Sequence, residues 1–125
     1  MKFEEKKAKF TAINLSSKEF PHNPLSVYDV ISTSKSVWVV SEDGLHRKST
    51  TDSIFALISK PKSSIQVHQL NDGSEIVMFE NTLFNFNDKT NVLEPLLENI
   101  QFGRILVTHG KSILFRSEGR IFKYN

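Results

Sequence analysis

The chain has 125 residues, 38% of them hydrophobic and 24% charged, which is the make-up of one soluble globular domain and excludes a disordered chain. Lys and Arg number 16 against 14 Asp and Glu, a net charge of +2, too little for charge alone to argue for nucleic acid or membrane as a partner. There is no cysteine, which excludes a disulfide framework and a thiolate metal site.

The chain opens MKFEEKKAKF, without the apolar stretch of a secretory signal, and its longest apolar runs fall far short of a membrane span. A soluble, cytoplasmic protein is therefore expected. Residues 1–25 read as a short strand near 9–13 followed by a long loop over 14–24. From Ser26 onward the sequence repeats without a gap at an offset of 38 residues. Repeat 1 spans 26–63, repeat 2 spans 64–101, and a truncated repeat 3 spans 102–125. Ser36, Ser74 and Ser112 coincide, as do Glu42, Glu80 and Glu118, and Leu45, Leu83 and Ile121. Trp38, Ile76 and Leu114 share an apolar column, and so do Val39, Val77 and Phe115.

Each copy follows one local pattern. An extended segment (VYDVIS, RILVTH) leads to a polar turn (TSKS, NDGS, HGKS) and a second segment (VWVVSE, EIVMFE, ILFRSE). A tight turn (DG, NT, GR) then leads to a third segment (LHRKS, LFNFN, IFKYN). Asp-Gly and other glycine pairs between β-rich runs are hairpin signals, because glycine accepts the positive φ such turns need. LFNFN alternates apolar and polar residues as a half-buried strand does. Each copy is thus expected to hold a three-stranded antiparallel meander. The fourth segment, near 54–58 and 92–100, is ambiguous. Ile54, Phe55, Leu57 and Ile58 fit one helix face capped by Asp52 or Ser53, yet SIFAL is also a run of strand length. A strand there gives a mainly β protein; a helix gives an α+β protein of strand-strand-strand-helix repeats.

SVWVVSEDGLHRKS and SEIVMFENTLFNFNDKTN resemble the repeat of two-component-regulator-type β-propellers, through Trp38, Asp43, Gly44, Leu45 and Arg47 in one copy and Leu83, Phe84, Asn87, Asp88, Lys89 and Thr90 in the next. The departures are that Trp38 has no tryptophan counterpart and that the third copy carries Gly119-Arg120 in place of Asp-Gly. The resemblance implies that the fourth segment is an outer strand and that the chain builds three four-stranded blades, the last completed by the strand near 9–13. Rings typically hold four to eight blades, so three blades imply a homodimer with a six-bladed ring, closed by a two-fold axis.

Catalytic and metal signatures are weak. His22, His46, His68 and His109 form no compact ligand spacing, and His46 falls in the column of Phe84 and Phe122, as a structural residue would. Gly110-Lys111-Ser112 lacks the upstream glycine of a phosphate loop, since Ile105 stands there. No Gly-x-Ser-x-Gly elbow is present. Of the carboxylates Asp29, Glu42, Glu80 and Glu118, the three glutamates repeat near a turn, which suggests a structural role. Trp38 is expected to pack between blades rather than to stack on a ligand, and 10 phenylalanines against 2 tyrosines argue for packing over recognition. Segment 64–101 carries six acidic residues against Lys89, and 102–125 carries five basic residues against Glu118, read as solvated faces, with a basic docking patch as the sharper reading. The expectation is a non-enzymatic interaction module without cofactor or metal, binding itself and a protein partner, with a small-ligand or carbohydrate-binding protein as the alternative. The candidate binding residues are Tyr28, His68, Arg104 and His109.

Overall fold

β-Branched and aromatic residues crowd the segments between glycine- and Asn/Asp-bearing turns, and those segments are strands. The computed structural model describes residues 13–15, 24, 26–61, 64–99, 104–109, 112–117 and 119–124. In chain order the strands are β1 (Val27–Ser32), β2 (Ser36–Ser41), β3 (Gly44–Ser49), β4 (Ala56–Ser59), β5 (Gln66–Gln69), β6 (Glu75–Phe79), β7 (Thr82–Asn87), β8 (Val92–Leu97), β9 (Arg104–His109), β10 (Ser112–Ser117) and β11 (Arg120–Tyr124). They form three sheets in meander order, β1-β2-β3-β4, β5-β6-β7-β8 and β9-β10-β11, and every neighbouring pair is antiparallel. The fold is mainly β, with no helix among the described residues and no sheet closed into a barrel. The third strands begin at Gly44, Thr82 and Arg120, so they stand 38 residues apart.

The fourth segments are strands, which overturns the strand-strand-strand-helix alternative. β4 pairs with β3 through Leu45↔Ser59, His46↔Leu57 and Arg47↔Ala56, and β8 pairs with β7 along its length. The physical reason is position. Both are edge strands, so each needs a ladder on one side only, and Pro95 is tolerated opposite Phe84 because its missing N–H costs no inner bond. Phe55 is 4% exposed and Ile54 60%, so Ile54 does not join Phe55 on a buried helix face. Part of the expected strand near 9–13 lies outside the described residues, and Ile13, the part described, is not in a strand. His22, Lys111 and Glu118 also lie outside them.

The hairpin turns sit one residue earlier than the sequence reading places them. Glu42 and Asp43 form the β2–β3 turn and Gly44 already pairs with Ser41. Glu80 and Asn81 form the β6–β7 turn with φ of 49° and 60°, the two positive values of a type I′ turn. Gly44 has a different duty. Its φ is +133°, and a Cβ on it would lie 2.3 Å from the Ser59 carbonyl oxygen of β4. The missing side chain is what lets β4 close on β3.

Strand alternation gives each sheet two faces, and the sheets stack through them. Trp38 and Leu45 of the first sheet pack with Val67, Val77, Phe79 and Phe86 of the second. On the second sheet's other face, Ile76, Met78 and Leu83 pack with Ile113 and Phe115 of the third. The second sheet is thus covered on both sides, and β6 is buried at every residue, which explains its unbroken apolar run Ile76–Phe79. The far face of the first sheet holds Val39 under Leu15 and Phe55. Gly44→Ala should destabilise the fold by about 2–3 kcal/mol, from strain at positive φ and displacement of β4; urea unfolding followed by Trp38 fluorescence measures it.

Candidate functional site

A carboxylate buried between the first two sheets accepts five side-chain hydrogen bonds. Glu75 opens β6, and its register with Val77 and Phe79 turns it toward the first sheet. Trp38 and Arg47, cross-strand partners in β2 and β3, face it. Oε2 of Glu75 accepts from Thr33 Oγ1 at 2.6 Å, Ser36 Oγ at 2.5 Å and Trp38 Nε1 at 2.8 Å. Oε1 accepts from Arg47 Nε at 3.1 Å and Nη2 at 2.7 Å. Glu75 is 3% exposed and Arg47 6%. A charge so buried is tolerated only when its lone pairs are filled, and here five donors fill them. The guanidinium also lies over the rings of Phe86 at 4.3 Å and Trp38 at 5.4 Å, and those two rings meet edge to face at 5.1 Å. Burial by itself would raise the Glu75 carboxyl, but the hydrogen bonds from Ser36, Thr33, Trp38 and Arg47 outweigh it and hold the group below its ordinary range.

Above this pair the seam opens to solvent. A polar cleft of about 470 Å³ is lined by Ser34, Lys35, Arg47, Thr51, Asp88 and Asn91, among others. A second, of about 320 Å³, includes Lys35, Glu75, Phe86 and Asp88. Lys35 and Asp88 face each other across 3.8 Å, both well exposed, so the contact is a weak one that yields to a ligand. Arg47 bonds Glu75 through Nε and Nη2, which leaves Nη1 for the cleft it lines. Gln69 ties the two sheets at the same end, accepting from the Ser34 N–H at 3.0 Å and donating to Ser34 Oγ at 2.7 Å.

A Ser, His and Asp do meet in the β2–β3 hairpin. Ser41 Oγ and His46 Nε2 lie 2.8 Å apart, and the Asp43 N–H donates to Ser41 Oγ at 3.1 Å. Both Ser41 and His46 are buried, and neither lines any of the clefts described. The arrangement pins the hairpin and presents no nucleophile to solvent. Burial lowers the His46 imidazole below its ordinary value, with Asp43 opposing it in part.

Of the residues proposed from sequence, Tyr28 lies on β1 at a β-bulge and is 68% exposed, and His68 lies half-buried on β5. Arg104 and His109 are the first and last residues of β9. All four stand on the opening strands of their sheets, each a sheet edge, and β5 adjoins β9. Glu42 and Glu80 are exposed in hairpin turns, and Asp29 is exposed beside its neighbour's N–H. Trp38 is wholly buried, so its ring packs the seam. Sequence reasoning missed Glu75. The signal was there: in the 38-residue register Glu75 stands between Val37 and Ile113, a lone charge in an apolar column. Among the described residues no group of three or more His, Asp or Glu is placed to hold a metal, and no helix is long and apolar enough to cross a membrane. No protein-family model matches the chain, and no curated protein or solved structure does.

Glu75→Gln should cost about 3–5 kcal/mol, because it leaves the Arg47 cation buried without a counter-charge. The wild-type stability profile should fall in two steps on acidification. Both groups have folded pKa values below their unfolded ones, so the unfolded chain takes up each proton first. Each contribution is full above the unfolded value and is lost as pH drops through the folded one. The His46 step lies below about 6.5 and the Glu75 step below about 4.3. Urea midpoints measured across pH should lose the lower step in Glu75→Gln and the upper one in His46→Phe.

Proposed function

We propose that the chain is a non-enzymatic interaction module of propeller-like build, in which each sheet is a blade and two copies make a six-bladed ring that holds a protein partner. The observation that carries this reading is a stack of three like-ordered sheets whose third strands recur every 38 residues. Ile121 is 67% exposed on the outer face of the third sheet and a cleft lies beside Val37 on the outer face of the first, and a ring closes by joining two such faces. The rim formed by the opening strands is the partner surface in this reading. Val27, Tyr28 and Val30 are all exposed on β1, an edge strand whose bulge at Tyr28 resists non-specific strand addition. Tyr28, His68, Arg104 and His109 are the residues assigned to contact the partner. In this reading the module is assigned to the cytoplasm.

Two measurements test this. Light scattering should report twice the chain mass of 14.3 kDa; a monomer at every concentration contradicts the ring. In a pull-down, the wild type should retain a partner that Tyr28→Ala/Val30→Asp loses about tenfold or more, as for an anchor residue. Equal retention by both proteins contradicts the rim.

A second reading, binding of a small neutral ligand such as a carbohydrate, is favoured by the polar cleft above Arg47. Its lining charges, Lys35 and Arg47 against Asp52 and Asp88, balance, and a cleft of about 470 Å³ lies within the usual size for small-molecule sites. Titration of Trp38 fluorescence with a sugar panel separates the two: a saturable change supports the ligand site, and an unshifted spectrum leaves the module reading ahead.

A further inference from the structure

The two seams inside the molecule obey one rule of register. At the first, Trp38 meets Glu75 of the next sheet. At the second, Ile76 and Ile113 share one buried cluster. Positions 38 and 76 differ by 38, and so do 75 and 113. One step further along the first series is Leu114; one step back along the second is Val37. Both lie on the end faces of the stack.

Leu114 shares its face of the third sheet with Arg116, Ile121 and Lys123, through Leu114↔Lys123 and Arg116↔Ile121. This is the face turned away from Ile113 and Phe115 and hence from the second sheet. Ile121 is 67% exposed. In the 38-residue register these four positions match Trp38, Val40, Leu45 and Arg47, the face of the first sheet that is covered by the second. At the other end, Val37 lies in a cleft of about 380 Å³ with Ile13, Ile54 and Phe55. Phe55 stands 38 residues before Leu93, and Leu93 packs in the cluster around Trp38. The cleft therefore occupies, on the first sheet, the register of the socket that receives Trp38 on the second.

We propose that the occupant of this cleft is a second copy of the chain. Leu114 and Ile121 of one copy enter the cleft at Val37, Ile54 and Phe55 of the other, and the reciprocal contact closes two identical joints. This names the residues of the ring joint and rests on the two-copy reading above. The chemistry matches. Where the Trp38 N–H met a carboxylate, Leu114 meets Val37, so this contact places no donor that needs an acceptor. The same register sets Lys123, in the place of Arg47, toward Lys48, in the place of Phe86, with no carboxylate between them. Like charges thus oppose the joint, and salt screening strengthens it.

The absence of cysteine makes the test direct. Within one copy, positions 37 and 114 lie two sheet spacings apart, roughly 20 Å at about 10 Å each, beyond the roughly 7 Å reach of a disulfide. Val37→Cys and Leu114→Cys chains are mixed, oxidised with glutathione disulfide and run on a non-reducing gel. The expected result is a covalent dimer in the mixture, little in either variant alone and none when Thr90→Cys replaces Leu114→Cys. The dimer fraction of the wild-type chain should rise with salt, and Ile121→Asp, at an exposed position that leaves the fold intact, should weaken association about tenfold or more. A dimer by light scattering without the 37–114 link overturns this docking and leaves the two-copy reading standing. A wild-type monomer overturns both, and a ladder of longer species from the Val37→Cys/Leu114→Cys chain overturns the closed joint.

Discussion

One buried carboxylate governs how the first two sheets meet. Glu75 draws Thr33, Ser36, Trp38 and Arg47 onto its two oxygens, and those donors come from β2, β3 and the turn between β1 and β2. Apolar contact alone would let two pleated faces slide past one another, because burial is nearly indifferent to small shifts in register. Five directional bonds to one acceptor are not. They fix the rotation of the Trp38 ring, set Arg47 over Phe86, and so define the floor of the polar cleft. A buried ion pair is weak evidence of stability in itself, since hydrophobic replacements often do as well; its contribution here is to specify one alignment.

The second seam manages without such a group. Ile76, Met78 and Leu83 meet Ile113 and Phe115, and partly buried Phe122 and Tyr124 pack at the margin. The contrast gives the stack a direction. The first seam holds a polar centre, Glu75 with Arg47 and Trp38, within an apolar ring, whereas the cluster at the second seam is apolar. In the proposed ring, the joint between copies pairs apolar Leu114 with Val37 and sets Lys123 of one copy toward Lys48 of the other. That difference gives the joint between copies a weaker, salt-dependent hold than the seams within a copy, as expected of an interface that forms after folding.

Much of the fold was legible in the sequence. The alternation of LFNFN, the apolar run Val37–Val40 and the Asn- and Gly-bearing hairpins place the meanders within one residue of where the structure has them. The fourth segments were not legible, because a short apolar run such as SIFAL satisfies both helix and strand periods until a neighbour's ladder decides. The role of Gly44 was misread as a turn residue, since only the closeness of the Ser59 carbonyl oxygen explains the glycine at the start of β3. The seam pair was missed for a different reason. Arg47 and Glu75 are 28 residues apart and lie on different sheets, so their meeting depends on sheet-to-sheet docking. The odd charge in an apolar column marked Glu75 as unusual but could not name its partner.

The claim that Glu75 organises the seam is most directly tested at the indole of Trp38, the one tryptophan in the chain. Its Nε1–H gives a single side-chain peak in a ¹⁵N correlation spectrum. A proton donated at 2.8 Å to a buried carboxylate should resonate downfield of a free indole and exchange with deuterated water only through global unfolding. A peak at the free-indole position that exchanges within the dead time would contradict the account.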